Sequence, residues 1–277
     1  MLFQSCPLPI MFFYKLQLFP AVVKKFAVMK ITRKEYHFMK TKGGGYMQAR
    51  IQVIKDDLIY NGQRVLSYTI EYPYVSSAVF QTASAAINRY YRAKAEMYRQ
   101  RYRHSLYHQA VLDYEMAKTH PDIPFRPYEA YLGCTITYND NCTLSLFFDA
   151  YQFTGGAHGN TTRTADTWDL GSARRVSMAR FFAPGAAYKA HVIGAVGAQI
   201  ALQMNADTGM YFDDYETNAA RYFNTNNFYL VPDGLIVYYQ QYQIAPYVSG
   251  IPEFLLPFSA QVQRPKCRKS PAAKPVS

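Results

Sequence analysis

Residues 47–72 read MQARIQVIKDDLIYNGQRVLSYTIEY, two runs of mixed apolar and polar residues on either side of Asn61-Gly62. Asn-Gly supplies two adjacent residues that tolerate positive φ, which a two-residue hairpin turn needs to match the twist of its strands. In the second run Leu66, Tyr68, Ile70 and Tyr72 alternate with Val65, Ser67, Thr69 and Glu71, the period of two of a strand with one buried face. The stretch therefore predicts a strand over 47–60 and a partner over 63–72, ended by Pro73, because proline removes a ladder donor.

The next segment changes period. Ser76 and Ser77 offer N-cap oxygens to residues 78–118, which contain no Gly or Pro. Phe80, Ile87, Tyr91, Tyr98, Tyr102 and Leu106 fall near one stripe at helical spacing, as on a helix packed across a sheet. Arg89, Arg92, Arg99 and Arg103 lie off that stripe; an arginine face can meet an anion, but solvated charge is the commoner role. His120-Pro121, Pro124 and Pro127 close the segment.

Beyond it the chain predicts strands over 128–138, 142–153 and 161–170, with turns at Asn139-Asp140-Asn141 and in a glycine loop. Residues 186–204 read as a helix carrying Ile193, Val196, Ile200 and Met204 at three- and four-residue spacing. A second hairpin follows, 227–231 and 235–243 about Pro232-Asp233-Gly234. With no βαβ repeat and no solenoid period, the fold class is α+β: an N-terminal hairpin plus long helix, then a mainly antiparallel sheet with one or two packed helices. The expected parts are a small domain over 45–127 and a second over 128–259. An extension or weak targeting segment over 1–44 and a basic disordered tail over 260–277 flank them.

Composition supports a folded chain, since 49% of the 277 residues are hydrophobic and only 18% are charged. The net charge of +11 points first to nucleic acid, but its position argues otherwise. Residues 1–44 carry eight Lys or Arg against Glu35, and residues 260–277 carry five with no acid, which leaves the body between them close to neutral. A near-neutral body is a poor footprint for DNA or RNA. Residues 1–23 are apolar apart from Lys15, yet Pro7, Pro9 and Pro20 interrupt them and no basic stretch precedes them. They make a weak signal peptide and a weak membrane span, so membrane contact is expected only if this segment anchors the chain. Met47 offers an alternative start, which would leave the protein in the cytoplasm. Cys6, Cys134, Cys142 and Cys267 have no CxxC spacing, which argues against a zinc ribbon or a thioredoxin-type site. Cys134 and Cys142 flank the expected turn, where two half-buried thiols are favoured over a disulfide whose feasibility depends on the turn's register.

The most distinctive run is YQFTGGAHGNT (151–161), leading to DTWDLG (166–171) and MARFF (178–182). It resembles the "YTGGAHGN" segment, the "DL.TG" turn and the "L.DLF" step of the domain shared by the anti-sigma factor RsiV and the peptidoglycan deacetylase PdaC. FYLVPDGLIVYY (228–239) and YQIAPYVSG (242–250) resemble that family's "F..T..GL.FYF..YEIAPYA.G" block, and IPEFLLPF (251–258) continues it. The resemblance covers roughly 128–259, with the preceding hairpin and helix similar to the family's smaller N-terminal domain. It implies an α+β fold, an extracytoplasmic location, and a wall glycan or a lysozyme-like protein as partner. It does not carry over catalysis, whose residues lie outside the matched stretches.

The chemistry of the residues gives a candidate binding set of Thr154, Gly155, Gly156, His158, Gly159 and Tyr247. Adjacent glycines permit either an anion nest or a turn of unusual backbone, the turn being favoured. If both glycines take positive φ, Gly156→Val is expected to cost more stability than His158→Ala. The loop lacks the Gly-Lys-Ser/Thr ending of a P-loop. His158 has no second His or Cys at ligand spacing, so no metal and no cofactor are expected. Asp213, Asp214 and Glu216 form the densest acidic cluster and read as helix-start charges. No catalytic constellation is visible; the enzyme alternative is a hydrolase using His158 with an aspartate.

Overall fold

The Asn61-Gly62 turn forms as expected, with φ of 49° and 78° at its two residues. It joins β1 (Gln48–Tyr60) to β2 (Gln63–Ser76) in an antiparallel ladder. The computed structural model describes residues 47–120 and 122–267; the expectations for 1–44 and 268–277 lie outside these. β2 runs through Pro73 instead of ending there, pairing it with Ile51. The reason is local: β2 meets its other neighbour only over Leu66–Ile70, so beyond Ile70 the strand has one partner and a missing N–H is tolerated.

The helical segment starts later than the serines suggest. α1 spans Gln81–Arg101, and Ser77 Oγ accepts from the Phe80 and Val79 amides in the turn before it. A π turn follows over Tyr102–Leu106, and α2 runs over Tyr107–Thr119. Ala83, Ile87, Tyr91, Ala95, Tyr102, Leu106 and Ala110 are buried against the sheet. Four-residue spacing advances about 40° per step on an α-helix, so a straight helix would carry Ala110 off this stripe. The extra residue in the π turn takes back about 100° and returns Ala110 to it.

β3 (Tyr128–Asp140) joins β2 in parallel, and β4 (Thr143–Phe153), β5 (Asn160–Asp169) and β6 (Arg174–Arg175) extend the sheet antiparallel. One six-stranded sheet, in sequence order, thus runs across residue 127. The helix covers one face, where Leu132, Leu144, Leu146, Phe148 and Trp168 are buried. On the other face lies a three-stranded sheet of β7 (Phe228–Val231), β8 (Gly234–Tyr238) and β9 (Glu253–Pro257). α3 (Tyr188–Asn205) and α4 (Tyr215–Arg221) pack against that sheet around a second core that includes Val192, Val196, Ile200, Phe228 and Phe254. The two sheets touch directly where Phe147 meets Tyr229 with ring centroids 5.0 Å apart, and where Leu230 N donates to Ser145 Oγ. The mixed α+β class is therefore as the periodicities indicated. None of the described helices is long and apolar enough to cross a membrane.

Two cysteine expectations change. The β3–β4 turn centres on Asn141 and Cys142, both at positive φ, one residue later than expected. Cys134 sits buried opposite Phe148, six positions up the strand from the turn residue, so the two thiols cannot meet. Cys142 instead bonds Cys267. Residues 260–267 are accordingly not the start of a structureless tail: Val262 is 2% exposed, and Gln263 N donates to Phe181 O at 2.7 Å.

Three carboxamides seal backbone at or just beside an open strand edge. Asn88 bonds both N and O of Val75, Asn139 both N and O of Met47, and Gln240 both N and O of Arg163, all within 2.7–2.9 Å. A side-chain amide presents one donor and one acceptor, as a neighbouring peptide would, and removes the edge as a template for another chain.

Candidate functional site

The glycine loop closes at the Gln152–Asn160 pair between β4 and β5. Its glycines do three different things. Gly155 holds φ +82°, with the place of a Cβ 3.7 Å from Arg126 O. Gly156 has no positive φ, and a Cβ there would meet nothing within 4 Å; its carbonyl accepts from Arg126 Nη1. Gly159 is buried, and a Cβ would lie 2.3 Å from the Tyr151 ring. The expectation that Gly156 needs glycine for its backbone is thus corrected: Gly155 carries that need. The loop's bonds at Gly156 and Gly159 use carbonyls, which fits a turn better than an anion nest.

His158 stacks on Tyr247, ring centroids 3.9 Å apart and planes 23° from parallel. The Gly159 carbonyl accepts from Tyr247 Oη at 2.9 Å and contacts His158 Nδ1 at 2.9 Å. A carbonyl only accepts, so Nδ1 carries the proton and, in the neutral ring, Nε2 presents its lone pair. Nε2 has no hydrogen-bond partner among the described residues. Tyr247 opens a single 3-10 turn, Tyr247–Ser249, ended by Gly250 at φ 67° and ψ −132°, a conformation that suits glycine. Ser249 Oγ ties that turn to Met210 O. Tyr242 adds a third ring 5.8 Å from Tyr247; it is 52% exposed and held at φ 65°. A bulky residue at positive φ is strained, and the surrounding loop must hold it there.

Arg163, beside this loop pair, ties the two sheets together. Its guanidinium makes a two-point pair with Asp149 at 2.7 Å, bonds Glu253 of β9, and lies 3.8 Å over the Phe147 ring. Its own backbone is bound by Gln240, and Thr161 N donates to Gln241 Oε1. The chain leading to Tyr242 is therefore zipped along the open edge of β5.

The acids that a hydrolase would require are occupied elsewhere. Asp166 accepts from Tyr91 and Arg175, and Trp168 Nε1 donates to Tyr91 Oη, in a chain running from α1 to β6. Burial pushes the Tyr91 phenol well above its ordinary range, so it stays a neutral link in that chain. Asp169 accepts from Arg180 and from Ser172 N. Asp214 and Glu216 stand at the start of α4, as read from the sequence. No carboxylate hydrogen-bonds His158, and no group of three or more metal-ligating side chains occurs among the described residues.

His158, Gly159 and Tyr247 thus come together, with Gly155 and Gly156 turned against Arg126. Thr154 lines a cleft between helix and sheet, bounded also by Tyr128 and Gln152. Tyr242, Gln240, Gln241 and Arg163 belong to the site and were not singled out from sequence. The available signal was an arginine alternating with threonines in β5 and a glutamine pair directly after an apolar strand.

A helix-backed mixed sheet, a second small sheet on its other face and a loop cluster linking the two define a two-sheet α+β module. Residues 59–161 match the family described as Deacetylase PdaC, and residues 179–259 match Protein of unknown function (DUF3298). The chain is of the PdaC/DUF3298 type, as its motifs indicated. The first match extends across the 120–127 linker and takes in the glycine loop. A crystal structure of a DUF3298 family member from Bacteroides fragilis shares the fold, with a TM-score of 0.61 at 19% identity, over 78% of this chain and 92% of that one. A DUF3298 family protein from Pseudomonas aeruginosa gives 0.48 at 18% identity, over 76% and 91%. No curated protein matches the chain.

Proposed function

We propose that the chain is a binding module that recognises a cell-wall glycan on the ring shelf formed by His158, Tyr247 and Tyr242. The observation that carries the reading is the contiguity of three rings, two of them exposed, on two loops that are pinned to the sheet edge. Sugar rings present an apolar face of C–H groups to an aromatic plane and a rim of hydroxyls to nearby acceptors such as His158 Nε2. Aromatic side chains supply such area at small entropic cost. The strain at Tyr242 supports the reading, since backbone strain clusters where a side chain has to be presented. A disulfide between Cys142 and Cys267 suits an oxidising, extracytoplasmic compartment. The family resemblance to wall-associated proteins points the same way. A hydrolase built on His158 with an aspartate has less support, because Asp166 and Asp169 are engaged in structural pairs.

Calorimetric titration with soluble wall saccharides tests the proposal. Tyr242→Asn keeps a residue that tolerates positive φ and removes the ring. It is expected to weaken binding at least about tenfold, the equivalent of roughly 1.4 kcal/mol, with the thermal midpoint unchanged or raised. Equal binding by both proteins, or binding only to a wall-acting protein such as a lysozyme, overturns the glycan reading.

A further inference from the structure

The π turn that keeps the hydrophobic stripe in register has a second effect. Arg101, Ser105, Gln109 and Asp113 recur every four residues, and on an uninterrupted α-helix this row would drift about 120° toward the core stripe. The extra residue holds Gln109 and Asp113 on the flank of the helix. There the row faces Tyr128, Gln152 and Thr154 across a cleft of about 450 Å³. That volume lies in the range of small-ligand sites.

The lining is specific in kind. Arg101 Nη2 reaches Gln152 Oε1 at 3.4 Å, a long bond that leaves most of the guanidinium donors unused. Gln109 Nε2 donates to Asp113 Oδ1 at 2.8 Å, and Tyr128 Oη donates to the other oxygen of Asp113. The carboxylate is thus fixed, and the Gln109 carbonyl oxygen has no hydrogen-bond partner among the described residues. Ser105 and Thr154 add hydroxyls that make no hydrogen bond there, while Leu106, itself 6% exposed, contributes little apolar surface. Hydroxyls and carboxamides that both donate and accept match a ring bearing alternating hydroxyl and amide groups. They do not match a phosphate, which needs several cations or converging amides.

We propose that this cleft is a second saccharide subsite, holding one amino-sugar ring between the helix row and the sheet, with Gln109, Gln152 and Arg101 bonding its substituents. The inference rests on the shelf reading for its ligand class and adds a place on the helix side of the same loop. Thr154 lines the cleft while His158 and Gly159 of the same loop build the shelf.

Nuclear magnetic resonance of the full chain, titrated with N-acetylglucosamine oligomers of two to six residues, separates the two sites. The side-chain amide signals of Gln109 and Gln152 report the cleft, and the ring signals of Tyr242 and Tyr247 report the shelf. Saturable shifts of both carboxamides are expected, and in Gln109→Ala, which removes the first of these signals, the Gln152 shift is expected to saturate at least fivefold more weakly. Gln109 is exposed on a helix, so alanine keeps the fold, which the remaining amide spectrum verifies. Shifts confined to the tyrosine rings overturn the cleft and leave the shelf standing. Shifts confined to the carboxamides support the cleft and remove the shelf. No shift by any oligomer overturns both.

Discussion

Any side chain placed at position 155 has to adopt φ +82°, whereas one at 156 enters open space on an ordinary backbone. Gly155→Val is therefore expected to destabilise by about 1–3 kcal/mol, and Gly156→Ala to stay within about 0.5 kcal/mol. His158→Ala, which removes one hydrogen bond and one stacked ring, should fall between them at about 1 kcal/mol. Urea midpoints at unchanged slope give the ranking; a larger loss at 156 than at 155 contradicts it. Sequence made the loop visible because a pair of glycines followed by His158-Gly159 is unusual in composition. It did not reveal which glycine is strained, because φ is set by what the loop packs on, here Arg126, thirty positions upstream of Gly156.

Between Arg101 and Tyr107 the helix carries one residue more than an α-helix needs. Removing an exposed residue from the π turn should therefore leave α1 and α2 in register with the sheet, since Leu106 and Ala110 then fall on the stripe of Ile87 and Tyr91 without it. Deleting His104 is expected to lower the thermal midpoint far less than deleting Arg92, which lies in regular α1 and would rotate everything after it by about 100°. The comparison needs only two melting curves, and equal losses would mean that the π turn is not an inserted residue. The long helix was legible because no Gly or Pro interrupts 78–118, but the π turn was not. Tyr98, Tyr102 and Leu106 all fit a helical stripe within its normal width, and only the continuation to Ala110 shows the drift. β2 was cut short at Pro73 for a related reason: whether a proline is tolerated depends on where the neighbouring strand stops, which no local pattern records.

At the scale of the molecule, the 26 tyrosines read from sequence as a surplus shared between core and surface, and the structure divides those among the described residues. Burial pushes Tyr239 up to about 12 and raises Tyr91, Tyr102 and Tyr238 as well. A raised folded pKa means stability that is complete below the unfolded value near 10 and is lost as pH climbs through the folded value. Urea midpoints should be flat from pH 8 to about 9.5 and fall between about 10 and 12, with phenolate absorbance appearing in step with unfolding. A midpoint unchanged at pH 11.5 would mean that the buried phenols ionise in place.

The carboxyl-terminal segment gives the other test at this scale, because its composition of Lys, Pro and Ala hid its role. Val262 is buried in the second core, Ser259 N donates to Val262 O, and Cys267 is bonded to Cys142, 125 positions earlier. A cross-link closing so long a loop restricts the unfolded chain strongly, and its loss costs about 2–5 kcal/mol. Val262→Ala adds a cavity term of about 1–3 kcal/mol. Cys267→Ser and a chain ending at 259 are therefore both expected to unfold at lower denaturant than the intact protein, with the truncation the weaker of the two. A chain ending at 267 should match the intact protein, since the bond and the buried valine both survive. Reduction with a thiol should bring the intact protein down to the level of Cys267→Ser and leave that variant unmoved. If reduction instead lowers both equally, the disulfide contributes nothing and the segment is held by Val262 alone.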